Sequence, residues 1–145
     1  MIVFINMALK IVIGTKTGKS FQKELSSQEA ESLFNKVLGE EFNGELLGFS
    51  KVKFLITGGS DSSGFPMRKD LPGANKKRIL VGKSLGFKGK LRGKRFGGLR
   101  IKKMVAGNSV CDSTHQLNLK VLSGDAVIEK AFAPAKEEAP AKAEE

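Results

Sequence analysis

The residues with the strongest chemical character are the lysines and arginines of one stretch of the chain. Between Arg68 and Lys103 the sequence holds fourteen of them and a single acid, Asp70. The net charge of this basic segment (residues 68–103) is +13, which exceeds the +10 of the whole chain, so the remaining residues are net acidic. Because neighbouring acids do not neutralise the segment, its charge favours binding to a polyanion.

Glycines interrupt the basic residues in the second half of the segment. Five glycines lie between residues 86 and 98, and they disfavour a helix there. We interpret residues 83–103, the basic arm, as a flexible extension that inserts between RNA phosphates. The predicted RNA-binding residues are the cations of the segment and one aromatic: Arg68, Lys69, Lys76, Lys77, Arg78, Lys83, Lys88, Lys90, Arg92, Lys94, Arg95, Phe96, Arg100, Lys102 and Lys103.

Two phenylalanines lie within the basic arm. Phe87 and Phe96 can stack on unpaired bases or anchor the arm on the core of the protein itself. Phe96, between Arg95 and Gly97, is predicted to stack on RNA or wedge into it, and Phe87 to pack in the core.

The GGSDSSGFPM segment (residues 58–67) precedes the basic residues. As a structural turn it would use glycines for positive φ, Ser60 and Asp61 to cap backbone N–H groups, and Phe65 and Met67 for packing. As a functional loop it would offer its backbone amides and Arg68 to RNA, and both roles stay open. The predicted turn residues are Gly58, Gly59, Asp61, Gly64, Phe65, Pro66 and Met67.

Motifs for catalysis, metal binding and cofactor binding are incomplete. Residues 14–20 (GTKTGKS) have three residues between the glycines where a phosphate-binding loop has four, and residues 59–64 lack the lysine and hydroxyl that must follow. Residues 86–89 match the GxxG of a KH domain without flanking helices. Cys111 and His115 supply two of the four ligands that structural zinc requires. We therefore predict no catalytic residues, no metal, no cofactor and no small-molecule substrate.

Composition limits the cellular setting. The chain of 145 residues is 40% hydrophobic and has a single cysteine, Cys111, which excludes an internal disulfide and fits a reducing cytoplasm. No apolar run approaches the ~20 residues of a membrane span. The apolar start, MIVFIN, lacks the charged region and the cleavage site of a signal peptide. We expect a cytoplasmic protein without a membrane partner.

Apolar periodicity predicts the elements that position the basic segment. Residues 9–13 form a strand buried on both faces, 15–19 a hairpin turn, and 20–25 the returning strand. Ser26 and Glu29 form a capping box for a helix over residues 27–38, which ends at Gly39. Further strands are expected at 46–57 and 78–81, at 99–106 with one face on the core and one on phosphate, and at 115–122, with a turn at 71–75. Alternation predicts the inward residues of two of them, which are Val52, Phe54 and Ile56 in the first and Leu117, Leu119 and Val121 in the last. Residues 125–132 suit a second, short helix that packs Val127, Ile128 and Phe132.

These elements predict a mainly β, α+β domain with one principal helix. The expected architecture is a small twisted antiparallel sheet or a partial β-barrel with a basic, glycine-rich extension. Residues 8–132 form this single domain. Residues 1–7 are either a leader or an extension of the first strand, and residues 133–145 are a disordered Ala/Glu/Pro tail.

One family resembles this chain in specific residues. Residues 58–68 (GGSDSSGFPMR), a Pro-Gly turn, residues 76–82 (KKRILVG), Gly86 with Phe87, and Gly107 with Asn108 resemble the archaeal and eukaryotic small-subunit ribosomal proteins of the S-six-e family. The resemblance covers roughly residues 8–124. Members carry a denser basic block just before Gly107, and eukaryotic members carry a long C-terminal helix with phosphorylatable serines that has no counterpart here.

The resemblance implies a structural constituent of the small ribosomal subunit. Its partners would be small-subunit rRNA and neighbouring ribosomal proteins, and no catalysis is expected. The alternative is a non-ribosomal RNA-binding regulatory protein that uses the same surface. An enzyme lacks a convergent acid–base set here, and an anionic-membrane binder would need an amphipathic basic helix, which the glycines of the arm disfavour.

Overall fold

The structure, a computed structural model, describes residues 9–132. The predicted leader and tail therefore lie outside the described residues. The elements in chain order are β1 (Lys10–Gly14), β2 (Ser20–Glu24), α1 (Ser27–Glu31), β3 (Glu41–Asn43), a 3₁₀ turn (Gly44–Leu47), β4 (Lys53–Asp61), β5 (Lys77–Val81), β6 (Lys90–Leu91), β7 (Lys94–Arg95), β8 (Ile101–Val105), β9 (Thr114–Ser123) and α2 (Asp125–Phe132).

A five-stranded sheet with the order β2-β1-β9-β4-β3 forms the centre of the fold. The α+β class is confirmed, but the antiparallel prediction was wrong for one pair, because β1 and β9 are parallel. β9 returns between β1 and β4 after the whole basic segment, and sequence periodicity carries no information about such a distant pairing. Within residues 9–132 the strands form open sheets without barrel closure.

Alternating side chains of the long strands build the core, as predicted. In β4, Phe54 and Ile56 are fully buried, and the buried Val121 and Leu119 of β9 lie opposite them. β1 was expected to be buried on both faces, but its residues alternate between buried and half-buried. Its second face is only partly covered, so it behaves as a one-sided strand.

Helix α1 begins as predicted and ends early. The Ser26 hydroxyl accepts a hydrogen bond from the Glu29 N–H at 3.4 Å, and the Glu29 carboxylate accepts one from the Ser26 N–H at 3.1 Å. The helix stops at Glu31 instead of residue 38. The N–H of Asn35, at a φ of 66°, donates to Val110, so pairing with a distant segment replaces the last helical turns.

Of two further predicted elements, one strand begins later than expected and helix α2 differs only in the packing of one residue. The strand expected from residue 46 gives way to the 3₁₀ turn Gly44–Leu47 before β4 begins at Lys53. Helix α2 has the predicted bounds, with Ile128 buried and the Phe132 ring stacked on Phe21 at 5.1 Å. Val127 is 39% exposed and does not pack as expected.

Candidate nucleic-acid interface

The basic segment folds into two small antiparallel ribbons outside the central sheet. β5 pairs with β8, and β6 pairs with β7. β8 was expected to turn one face to the core, but only Val105 at its end is buried, while Ile101 is partly covered and the middle is exposed. This ribbon therefore presents most of its side chains to solvent, while Val81 and Val105 at its base are buried.

The tip of the basic arm is a hairpin, where a flexible loop was predicted. Lys90 pairs with Arg95 and Leu91 with Lys94. Between them Arg92 and Gly93 have φ values of 49° and 81°. Positive φ at both central residues is the pattern of a type I′ turn, the geometry that suits two-residue hairpins. The turn thereby holds the flanking cations at fixed spacing on exposed strands.

Most of the predicted RNA-binding cations have no acidic partner. Within residues 9–132, only Arg68 and Lys76 of the fourteen form ion pairs, with Asp70 and Asp61 respectively. All the others are exposed, and no carboxylate of the described residues lies within ion-pair distance of them. They are Lys69, Lys77, Arg78, Lys83, Lys88, Lys90, Arg92, Lys94, Arg95, Arg100, Lys102 and Lys103.

Arg68 holds the start of the basic segment against the base of the arm. Its guanidinium lies 2.5 Å from Asp70 and donates to the Ser84 hydroxyl and the Leu85 carbonyl, both at 3.2 Å. Its side chain is only 16% exposed. The geometry thus commits much of its hydrogen-bonding capacity within the protein, and its predicted contact with RNA would compete with these bonds.

Lys76 is also held internally, by the buried Asp61. The Lys76 ammonium forms an ion pair with Asp61, donates to the Ser63 hydroxyl at 3.2 Å, and lies 5.8 Å from the centre of the Phe65 ring. Three contacts of this kind tie the chain after residue 75 to the GGSDSSGFPM segment. Lys76 therefore contributes less free positive charge than its neighbours in sequence.

Asp61 is the buried acid on which this attachment depends. Its side chain is 2% exposed, and one carboxylate oxygen accepts a hydrogen bond from the Ser62 N–H at 2.6 Å. Burial alone would raise the pKa of this carboxyl, but hydrogen bonds from Lys76 and Ser62 outweigh burial and lower the pKa below its ordinary value of 3.8. Asp61 is therefore charged at neutral pH and fixes Lys76 in place.

The GGSDSSGFPM segment turns later than predicted. Gly58 and Gly59 continue strand β4, which ends at Asp61, and the turn follows at residues 62–64 with a φ of 77° at Gly64. A β-bulge between Ile56 and Gly58 accompanies the two glycines.

The remaining turn residues divide between packing and pairing. Met67 is buried as predicted, Phe65 is half-buried, and Ser60 forms a β-bridge with Pro66 instead of capping a backbone N–H. At Gly59 an added Cβ would lie 2.7 Å from the Gln116 carbonyl oxygen, so close packing of β9 explains that glycine.

Gly107 and Asn108, which entered the sequence analysis only through the family resemblance, have a clear structural role. A Cβ on Gly107 would collide with the backbone of Gly73. The Asn108 side chain accepts a hydrogen bond from the Gly73 N–H at 3.1 Å, and its N–H donates to Leu71 at 2.8 Å. The pair holds the predicted 71–75 turn against the core. Backbone approach of this kind carries no sequence signal beyond the glycine itself.

The two arm phenylalanines differ as expected in burial. Phe87 is 6% exposed and Phe96 is 50% exposed. Sequence reasoning missed the other apolar side chains that the basic segment exposes, although their place among cations was a signal. They are Leu80, Leu85 and Leu91, and Met104 directly after the segment is exposed as well.

The residues considered for other chemistries lie apart from any assembled site. Residues 15–19 form the predicted hairpin turn between β1 and β2. The Cys111 sulfur contacts the Ser113 hydroxyl at 3.1 Å, and residues 9–132 contain no group of three His, Cys, Asp or Glu side chains that could hold a metal ion. Neither described helix has the length and apolarity needed to cross a membrane.

Comparison with known proteins identifies the class of this one. The family described as Ribosomal protein S6e matches residues 9–133. A small ribosomal subunit protein eS6 from Methanothermobacter thermautotrophicus is 41% identical over 116 residues, which cover 80% of this chain and 87% of the relative. The protein of the same name from Nitrosopumilus maritimus is 39% identical over 136 residues, which cover 94% and 92%.

These matches define a ribosomal protein rather than an enzyme. The chain belongs to the ribosomal protein S6e family, which confirms the resemblance seen in the GGSDSSGFPM segment.

Proposed function

We propose that this chain is a structural constituent of the small ribosomal subunit that binds rRNA through its basic arm and the adjoining surface of the sheet. The relatives reported above are named as small ribosomal subunit proteins, which supports assembly of this chain into the same subunit. Small-subunit rRNA and neighbouring ribosomal proteins are the proposed partners, and the cytoplasmic ribosome is the proposed location.

The observation that carries the proposal is the set of twelve exposed cations without acidic partners in residues 9–132. RNA phosphates are the polyanion that neutralises such a surface with release of counterions. Phosphate contacts fix position without reading sequence, so specificity would come from the shape of the rRNA and from unpaired bases near Phe96.

The acidic side of the protein faces a different partner in this proposal. Helix α1 carries Glu29 and Glu31, and Glu41 and Glu45 lie nearby in sequence. Like charge repels phosphate, so this side is proposed to face solvent or a neighbouring protein.

The test removes five cations of the arm together. Lys88, Lys90, Arg92, Lys94 and Arg95 become serine in one variant, which should retain the melting temperature and lose sedimentation with the small subunit. The affinity for rRNA should fall by about 10³-fold or more, since several phosphate contacts are lost. A matched control replaces Lys10, Lys19, Lys23 and Lys36 with serine. These lysines lie outside the basic segment and are paired with acids, so this variant should still sediment with the subunit.

Sucrose gradients at low and high salt distinguish the alternative function. Co-sedimentation of the wild-type protein with the small subunit that persists in high salt fits an integral component. Recovery in light fractions at both salt concentrations would contradict the ribosomal proposal and favour a free RNA-binding regulator. Normal sedimentation of the five-residue variant would contradict the role of the arm.

A further inference from the structure

A groove of about 580 Å³ lies along β4 at the edge of the basic segment. Gly58 and Thr57 line it from β4, and Leu38 lines it from the turn after α1. Pro66 of the GGSDSSGFPM segment and Leu85 of the basic segment border it on the other side. The volume falls within the range of about 300–1,000 Å³ that is usual for small-ligand sites.

Gly58 lies at the β-bulge of β4, but its surroundings leave room for a side chain. Its φ lies outside the left-handed region, and a Cβ added to it would meet no atom within 4 Å. The neighbouring Gly59 differs, because a Cβ there would lie 2.8 Å from the Met67 sulfur. A glycine inside a strand often marks a bulge or a place where a ligand or another backbone approaches closely, and no atom of residues 9–132 approaches Gly58 from its open side. The space above Gly58 opens into the groove.

The lining of the groove is apolar with three polar side chains, and none of these is acidic. They belong to Thr57, Lys69 and Asn118. The Lys69 ammonium lies beside Gly39, 3.2 Å from the position that a Cβ of that glycine would take, and Lys69 forms no ion pair among residues 9–132. An apolar lining with the Lys69 ammonium beside it suits a flat, weakly polar group that carries a phosphate.

We infer that the groove binds one unpaired nucleotide of the RNA, an inference that rests on the proposed RNA-binding function. The base lies over Gly58 and is bordered by Leu38 and Pro66, as extruded bases lie between apolar side chains in other proteins. The Thr57 hydroxyl donates to the Asn118 carbonyl at 3.0 Å, and the Asn118 side-chain oxygen accepts from the Gln116 amide at 3.0 Å. The Asn118 NH₂ group and the lone pairs of the Thr57 oxygen are left to bind the polar edge of the base. Lys69 pairs with its phosphate.

The test compares a short RNA duplex with the same duplex carrying one unpaired nucleotide. The full-length wild-type protein should bind the bulged duplex roughly tenfold more tightly, the scale of one base stacked on protein. Gly58→Val fills the groove and should abolish the preference with unchanged affinity for the paired duplex. Gly14→Val is the matched control, because Gly14 is also a strand glycine without positive φ, and a Cβ there meets only ordinary contacts.

A second measurement locates the nucleotide and guards against misfolding. In NMR titration, nucleoside monophosphates should shift the amides of residues 58, 59 and 118, and inorganic phosphate should not. Gly58→Ala adds a single methyl group and should weaken these shifts if Gly58→Val fails to fold.

Two results would overturn the inference. The first is equal binding of the two duplexes by the wild-type protein, and the second is a preference that survives in Gly58→Val. If that variant also lost its association with the small subunit, the groove would be assigned to an apolar protein segment. Failure of the wild-type protein to bind either duplex would overturn the proposed function as well, so the two failures are distinguishable.

Discussion

The region of the central sheet and the basic segment differ in how many of their cations are paired with acids. Lysines of the sheet region lie next to acids, at distances of 2.9–3.5 Å, in four ion pairs: Lys10–Glu24, Lys19–Glu129, Lys23–Glu29 and Lys36–Glu40. In the basic segment only two of fourteen cations have such partners among the described residues. Four lysines of one region are paired with acids, whereas twelve cations of the other have no acidic partner among residues 9–132.

Apolar side chains divide in the same way. Phe54, Ile56 and Leu117 of the sheet are fully buried. In the basic segment Leu80 is 58% exposed and Phe96 is 50% exposed, while a few residues such as Phe87 anchor the segment to the body. Buried area stabilises the fold and exposed area is available to a partner. Substitutions in the two regions should therefore affect different measurements.

The largest expected difference is between the effects of two phenylalanine substitutions on stability and on RNA binding. Phe54→Ala removes a fully buried ring and should lower the free energy of unfolding by about 3–5 kcal/mol. Phe96→Ala removes an exposed ring, which should change stability by less than about 0.5 kcal/mol but weaken RNA binding by about 1–3 kcal/mol. Urea unfolding and fluorescence anisotropy on the same samples measure both quantities. Destabilisation by Phe96→Ala similar to that of Phe54→Ala would contradict the separation of roles.

Local patterns in the sequence were sufficient to predict most strands and α2. Period-two alternation identified the inward residues of β4 and β9, because each strand buries one face regardless of its neighbours. The capping box located the start of α1, because its two hydrogen bonds join residues only three positions apart. The end of α1 was missed because residues 108–110, far along the chain, pair with residues 35–38 and replace its last turns.

The candidate interface shows the same limit. Charge and glycine content located the basic segment, since composition is visible without coordinates. The sequence could not show that Asp61 sequesters Lys76, that Arg68 bonds to the base of the arm, or that Gly58 opens into a groove. Each depends on contacts between segments that only the folded chain brings together.

Asp61 joins the two regions, and its substitution has an intermediate expected effect. Asp61→Asn removes the charge that holds Lys76 and should cost about 1–3 kcal/mol at neutral pH, the range for a buried hydrogen bond to a charged group. Because the pKa of Asp61 is lowered in the folded protein, its contribution is complete above the ordinary value of 3.8 and is lost as the pH falls through the folded pKa.

Unfolding of both proteins across acidic and neutral pH measures this dependence. The difference in unfolding free energy between wild type and Asp61→Asn should be largest near neutral pH and should shrink below the ordinary pKa of 3.8. Asp112→Asn, which removes an exposed acid, should leave stability at neutral pH nearly unchanged. A difference that stayed constant down to the most acidic conditions would show that the charge of Asp61 is not what stabilises the attachment.

The smallest expected effects are those of two single substitutions, one of a lysine outside the basic segment and one of a lysine in the basic arm. Lys19 pairs with Glu129 at 3.5 Å with its side chain 63% exposed, so Lys19→Ser should change stability by at most about 1 kcal/mol and leave RNA binding unaltered. Lys88, exposed in the basic arm without an acidic partner among residues 9–132, should contribute one phosphate contact. Lys88→Ser should therefore reduce the slope of log affinity against log salt concentration by about one. Equal slopes for the two variants would place Lys88 outside the interface even if the arm as a whole binds RNA.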